Sequence, residues 1–280
     1  MTPPPPSAAP LRADCIGDSA GGLTFDVAAR GNAGAALLIL RRRAAGGLDG
    51  TGDTVSLPLA PAAEGRLRAA LPSSVSLPEG RWDAYALLSG GEPRRLVPGV
   101  TDLRSLAERI PSGLLGHVAV RIPYATRQGN LTVRSWLRAP HAEAVELRLA
   151  SGGLTVRGRV YGTRLVPGAD AELCARPGGG EGGEGGGRVR RVDVAAERTE
   201  FAFTVPYEGL EPGVWDLWLR PAGDAGPVVR LARLLDDVAD KSPVLTFPRA
   251  RVRTPHGPAE AGPYYTRDND LSLAVTPLDA

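Results

Sequence analysis

At 280 residues the chain is long enough for one large domain or two of ordinary size, and 42% hydrophobic residues are enough to build a core. Its 33 basic and 31 acidic residues leave a net charge of +2, which excludes the strong basic excess of a dedicated nucleic-acid binder. No apolar run approaches the roughly 20 residues of a membrane-spanning helix, and the 36 glycines and 26 prolines point to many turns between short strands.

All the basic residues are arginines except Lys241. With the wealth of Ala, Gly and Pro, this reads as a GC-rich coding bias. Arginines then fill surface positions that lysines fill elsewhere, and their bidentate chemistry loses weight as a signal.

Residues 1–10 open Met-Thr-Pro-Pro-Pro-Pro, with neither a basic n-region nor an apolar h-region. They read as a disordered, Pro-rich leader rather than a secretory signal. The expected compartment is the cytoplasm, with Cys15 and Cys174 as reduced thiols on non-equivalent strands. Gly17-Asp18-Ser19-Ala20-Gly21 fits the G-x-S-x-G elbow. That elbow needs a strand before it and a helix after it, whereas Leu23, Phe25 and Val27 alternate with polar neighbours as a strand does. A hairpin turn is the expectation, not a catalytic serine.

Further along, Leu77-Pro78-Glu79-Gly80-Arg81-Trp82-Asp83 leads into a strand carrying Tyr85. Residues 103–110 are the one helical stretch expected in the first half. Val118, Val120 and Ile122 alternate again. After Arg138-Ala139-Pro140 the next strand is expected near Ala144, so two domains would be joined by a few residues and held close. Val145, Leu147 and Leu149 alternate, as do Phe201, Phe203 and Val205, then Trp215, Leu217 and Leu219, and finally Leu271, Leu273 and Val275. Between them, residues 178–187 are glycines interrupted by Glu181 and Glu184. The acids would repel phosphate, and a strand resumes beyond, so a flexible hairpin loop is expected instead of a phosphate cradle.

These segments repeat. Gly21-Gly22-Leu23-Thr24 matches Gly152-Gly153-Leu154-Thr155, and Leu77 to Asp83 matches Leu210 to Asp216. Arg95-Leu96 matches Arg230-Leu231, and Asp102 matches Asp237. Tyr124-Ala125-Thr126-Arg127 with Asn130-Leu131 matches Tyr264-Tyr265-Thr266-Arg267 with Asp270-Leu271. The matches keep their order while their offsets grow only slightly, so the chain is one unit copied and laid in tandem. The fold expected is all-β: two tandem immunoglobulin-like β-sandwich domains from an internal duplication, over residues 11–140 and 141–278. The counterpart of the 103–110 helical stretch is 234–240.

Candidate sites are few. His117, His141 and His256 stand at expected strand starts or loops, without metal-ligand spacing or a counterpart in the other copy. Asp236, Asp237, Asp240, Asp268 and Asp270 form the densest acidic set; calcium uses such oxygens, but so do turn caps. Trp82 and Trp215 share a strand position and are expected in the cores. Tyr85 and Trp218 project from the opposite face, and Tyr264 and Tyr265 stand near the chain end. Such aromatics stack on a sugar or bury at an interface. The binding candidates are therefore Tyr85, Trp218, Tyr264, Tyr265, Asp237 and Asp270. No catalytic residue, metal or cofactor is assigned.

The strings Gly80-Arg81-Trp82-Asp83, Val120 to Thr126, Val214 to Trp218, Leu234 to Asp240 and Pro263 to Leu271 resemble a family of actinobacterial proteins often labelled "transferase". Similar β modules accompany polysaccharide or teichoic-acid-type glycosyl and glycerophosphate transferases. The resemblance implies a β-sandwich fold and brings no catalytic pattern with it. The reading that follows is a non-catalytic binding or scaffolding protein whose partner is a cell-envelope transferase or its glycan. The alternative is a transferase in glycan or glycerophosphate polymer synthesis, for which Asp237 with Asp270, or Asp102 with Asn130, are the candidates.

Overall fold

A computed structural model describes residues 9–29, 34–44, 53–107, 116–177 and 188–278. Residues 1–8 of the expected leader, the glycine run 178–187 and positions 108–110 of the expected helix lie outside the described residues. Among those described, no helix is long and apolar enough to cross a membrane.

The protein is all-β, built as two tandem β-sandwiches. In the first repeat the strands are β1 (Leu11–Gly17), β2 (Leu23–Ala28), β3 (Ala36–Arg42), β4 (Thr54–Pro58) and β5 (Ala60–Pro61). They continue with β6 (Arg66–Leu71), β7 (Gly80–Leu88), β8 (Arg94–Asp102), β9 (Val118–Ala125) and β10 (Leu131–Arg138). In the second they are β11 (His141–Ala150), β12 (Gly153–Tyr161), β13 (Asp170–Ala175), β14 (Val189–Asp193), β15 (Ala195–Glu197) and β16 (Glu200–Pro206). These are followed by β17 (Gly213–Arg220), β18 (Val229–Ala232), β19 (Ala250–Thr254), β20 (Gly257–Tyr265) and β21 (Leu271–Pro277).

Pairing repeats strand for strand. One layer runs β5-β6-β2-β1-β8 in the first copy and β15-β16-β12-β11-β18 in the second. The other layer runs β4-β3-β7-β10-β9, and β14-β13-β17-β21-β20 with β19 added. In each copy one strand joins the layers: β8 is parallel to β1 and antiparallel to β7, and β18 is parallel to β11 and antiparallel to β17.

Period-two alternation drives this assembly, because a strand with one apolar face gains about 1.5–3 kcal/mol for each large side chain it buries. In the first repeat Phe25, Leu38, Leu40, Trp82 and Leu96 are fully enclosed; in the second, Leu154, Val156, Phe203, Trp215 and Leu273 are buried. The two core tryptophans satisfy their ring N–H in the same way: Trp82 Nε1 donates to Pro78 O and Trp215 Nε1 to Glu211 O, each at 3.0 Å. The sole lysine, Lys241, is buried as well.

The repeated Tyr-x-Thr-Arg strings are hairpin turns. Thr126 N donates to Asn130 O and Thr266 N to Asp270 O, and the threonine hydroxyls accept from the amides of Asn130 and Asp270. Gly129 (φ 76°) and Asn269 (φ 61°) hold the left-handed position that such turns require. The Gly17–Gly21 segment is also a hairpin turn: Asp18 Oδ1 accepts from the amides of Ala20 (2.8 Å) and Gly22 (2.9 Å).

Contacts divide the chain into two compact units, with the main break between Leu137 and Arg138. The helical stretch of 103–110 shows, within the described residues, as the single turn α1 (Arg104–Ala107). Three expectations need correction. Residues 234–240 form no helix but a series of bends. The strand after the linker begins at His141, not near Ala144. A bulge between Ala144 and Glu146 breaks the alternation there, turning Val145 outward at 59% exposure. His141 is no exposed loop histidine: it is fully buried, with Nε2 2.7 Å from Glu143 Oε2, and Glu143 also accepts from Leu234 N.

Candidate functional site

The aromatic candidates are bound up with arginines. Tyr85 is half-buried, with the Arg41 and Arg95 guanidinium carbons 5.0 and 4.9 Å from its ring centroid. Trp218 carries Arg230 at 5.1 Å. These are cation–π contacts, which attract through the ring quadrupole and leave those faces covered. Tyr265 is not an exposed ring, since it is only 1% exposed and packs on Phe247 at 6.0 Å. Tyr264 is half-buried.

Among the acids, Asp237 is exposed. Asp270 receives Arg138 Nη1 at 2.7 Å, with Arg230 Nε at 3.8 Å. Burial pushes its carboxyl above its ordinary value, against the pull of both arginines. Asp102 is engaged by Arg104, which draws its carboxyl down to about 2. Among the described residues no group of three His, Cys, Asp or Glu side chains is placed to hold a metal ion.

A second constellation, missed in the sequence, is built twice. Asp83 on β7 receives Arg43 (2.6 and 2.9 Å), Arg95 (2.6 Å) and the hydroxyl of Thr132 (2.9 Å). Asp216 on β17 receives Arg176 (2.6 Å), Arg230 (2.7 Å) and the hydroxyl of Ser272 (2.8 Å). The same arginines, Arg95 and Arg230, also donate to the strand carbonyls Ala84 O (3.0 Å) and Leu217 O (2.9 Å). Burial raises both carboxyls, but the hydrogen bonds from Arg43 and Thr132, or from Arg176 and Ser272, outweigh it and hold them below their ordinary value. Discounting arginine as compositional filler hid this lattice. The signal available was the Trp-Asp-x-aromatic spacing in both copies, with Arg95 and Arg230 already matched.

The third feature is an open depression of about 680 Å³ on the outer face of β11, β12, β16 and β15. Its floor is low because Ala195 and Ala202, cross-strand partners, stand there. Gly158 is required: a Cβ would lie 2.2 Å from Glu143 O and 2.3 Å from the Phe201 ring. Around this floor stand Arg157, Arg159, Tyr161, Glu146, Glu197 and Glu200. Arg159 Nη2 donates to Glu200 Oε1 at 2.6 Å, and Arg148 Nε to Glu146 Oε1 at 2.6 Å. Among the described residues, the Arg157 guanidinium and the Glu197 carboxylate have no hydrogen-bond or ion-pair partner. Tyr161 is half-buried; burial raises its phenol, and the His141 ring stacks at 6.2 Å and 21°.

The equivalent place in the first repeat carries a different pair of side chains. There Asp26 pairs across the sheet with Arg68, where the second repeat pairs Arg157 with Ala202. Arg68 lies over that face in a bidentate grip on Asp26 (2.6 and 2.7 Å), and Arg66 holds Asp14 beside it. The Arg68 hydrogen bond keeps the Asp26 carboxyl below its ordinary value.

No family model matches the chain, and no curated protein matches it. Among solved structures, the chain is similar to S. aureus TarS 217-571 at 11% identity and a TM-score of 0.37, over 73% of this chain. The match spans 57% of that TarS chain. A marsupial T cell receptor matches at 9% identity and a TM-score of 0.26, over 95% of this chain and 91% of the receptor chain.

Proposed function

We propose that the chain is a non-catalytic binding or scaffolding protein serving cell-envelope polysaccharide or teichoic-acid-type transferase systems. The observation that carries the binding half is the depression on the second repeat, at the place where in the first repeat Arg68 grips Asp26. A concave site with a few convergent polar groups is where ligands are held. The acids best suited to chemistry support a structural use: Asp83, Asp216 and Asp270 are each taken up by arginines at hydrogen-bond distance. The cell-envelope half rests on the resemblance of the repeated strings to transferase-associated modules.

The test is affinity capture with the full chain from its native cell extract, alongside calorimetry against cell-envelope glycans. A transferase or envelope glycan retained on the chain is the expected result. Recovery of chaperones alone, with no heat of binding to any glycan, removes the reading.

A further inference from the structure

We propose that the depression on the second repeat takes a neutral, polyhydroxylated ligand, an oligosaccharide segment, held by Arg157 and Glu197 and packed against Tyr161. This rests on the binding reading above and names its ligand class.

The chemistry of the lining selects that class. The side chains around the floor carry two cations, Arg157 and Arg159, and three anions, Glu146, Glu197 and Glu200. Arg159 and Glu200 satisfy each other, and Glu146 is held by Arg148. Among the described residues, what stays open is one donor fork, Arg157, and one acceptor, Glu197. Neighbouring sugar hydroxyls ask for that combination, because each hydroxyl both donates and accepts. A polyanion would gain one cation and meet three carboxylates, which is repulsive. A protein partner would look for a large apolar or aromatic anchor; the floor offers alanines, and Val145 is the single large aliphatic side chain exposed in the lining. Of the two rings in the lining, Phe201 is buried in the core and Tyr161 is the one presented, apolar in its body and polar at its tip. Its mobility is limited by the buried His141 ring stacked on it, and a fixed ring loses less entropy on binding.

The duplication provides an internal control. Both copies share register at this face, so their side chains compare position by position. In the second copy Ala202 stands where the first has Arg68, and Arg157 replaces the carboxylate that Arg68 grips. An arginine left without a partner beside a cleared floor is poised for a ligand group rather than for a side chain.

The experiment uses the full chain and titrates chitohexaose, maltoheptaose, xylohexaose and mannohexaose by calorimetry, with poly(glycerol phosphate) as the anionic probe. At least one neutral oligosaccharide should bind. Arg157→Ala and Ala202→Arg should each raise its Kd by about tenfold or more. The double variant Arg157→Asp/Ala202→Arg copies the first repeat's lock and should abolish binding without lowering the urea midpoint. Binding of poly(glycerol phosphate) alone overturns the ligand class, and unchanged affinity in the variants overturns the site; either way the broader binding reading stands. Silence of every probe overturns this inference, and only silence together with capture of chaperones alone removes the broader reading too.

Discussion

Thr132 and Ser272 occupy one position in the two repeats, and each hydroxyl donates to the aspartate opposite, at 2.9 Å to Asp83 and 2.8 Å to Asp216. Around each aspartate two arginines converge, one of them also bonded to strand carbonyls and stacked on an aromatic ring. The lattice thus ties β7 to β8 and β10, and β17 to β18 and β21, at one layer of each sandwich.

Breaking it from the acidic side should be costly. Asp216→Asn keeps the shape but takes from Arg230, whose side chain is 11% exposed, the nearer of its two carboxylates and leaves Asp270 at 3.8 Å. A partly buried charge that loses its hydrogen-bonded partner costs about 1–3 kcal/mol. Urea unfolding should show the loss for Asp216→Asn, with a similar loss for Asp83→Asn. A change below about 0.5 kcal/mol in both would mean that the lattice contributes no stability.

The same carboxylates set an acid limit. Asp83 and Asp216 are held below the ordinary value of 3.8 in the folded chain. Their contribution is therefore fully present above about pH 4 and is lost as pH falls through the lowered folded values. The urea midpoint should hold down to about pH 4 and fall as pH drops below it. Asp83→Asn/Asp216→Asn should flatten that dependence; an unaltered slope in the double variant would place the acid sensitivity elsewhere.

Both thiols should be inert in the folded chain. Burial pushes the Cys15 thiol up to about 12, and burial with the Glu172 carboxylate pushes Cys174 up to about 11. The thiolate is the reactive form, so a disulfide reagent at pH 8 should find almost none in the native protein. Two equivalents should react once urea unfolds it. Rapid native labelling would contradict the burial of Cys15.

Val145 and Val156 separate strand pattern from strand environment. Val145 lies on the bulge at 59% exposure, and Val156 is fully buried. Val145→Thr should change stability by less than about 0.5 kcal/mol. Val156→Thr places a hydroxyl in the core and should cost about 1–3 kcal/mol. Equal effects in thermal unfolding would show that the bulge does not form in solution.

The sequence by itself determined the duplication, the all-β class and the core positions of Trp82 and Trp215. Those signals are local or are the chain compared with itself: period-two alternation, turn residues and ordered matches. It also showed the Gly17–Gly21 segment as a turn, because turn chemistry acts over a few residues. Only the tertiary structure decided which charged groups meet. Whether Arg68 covers Asp26 or Ala202 uncovers Arg157 depends on cross-strand register between distant segments, and no spacing in one strand encodes it. The bulge that exposes Val145 and the packing that buries His141 and Tyr265 are likewise settled between strands, where burial and hydrogen bonding are satisfied jointly rather than residue by residue.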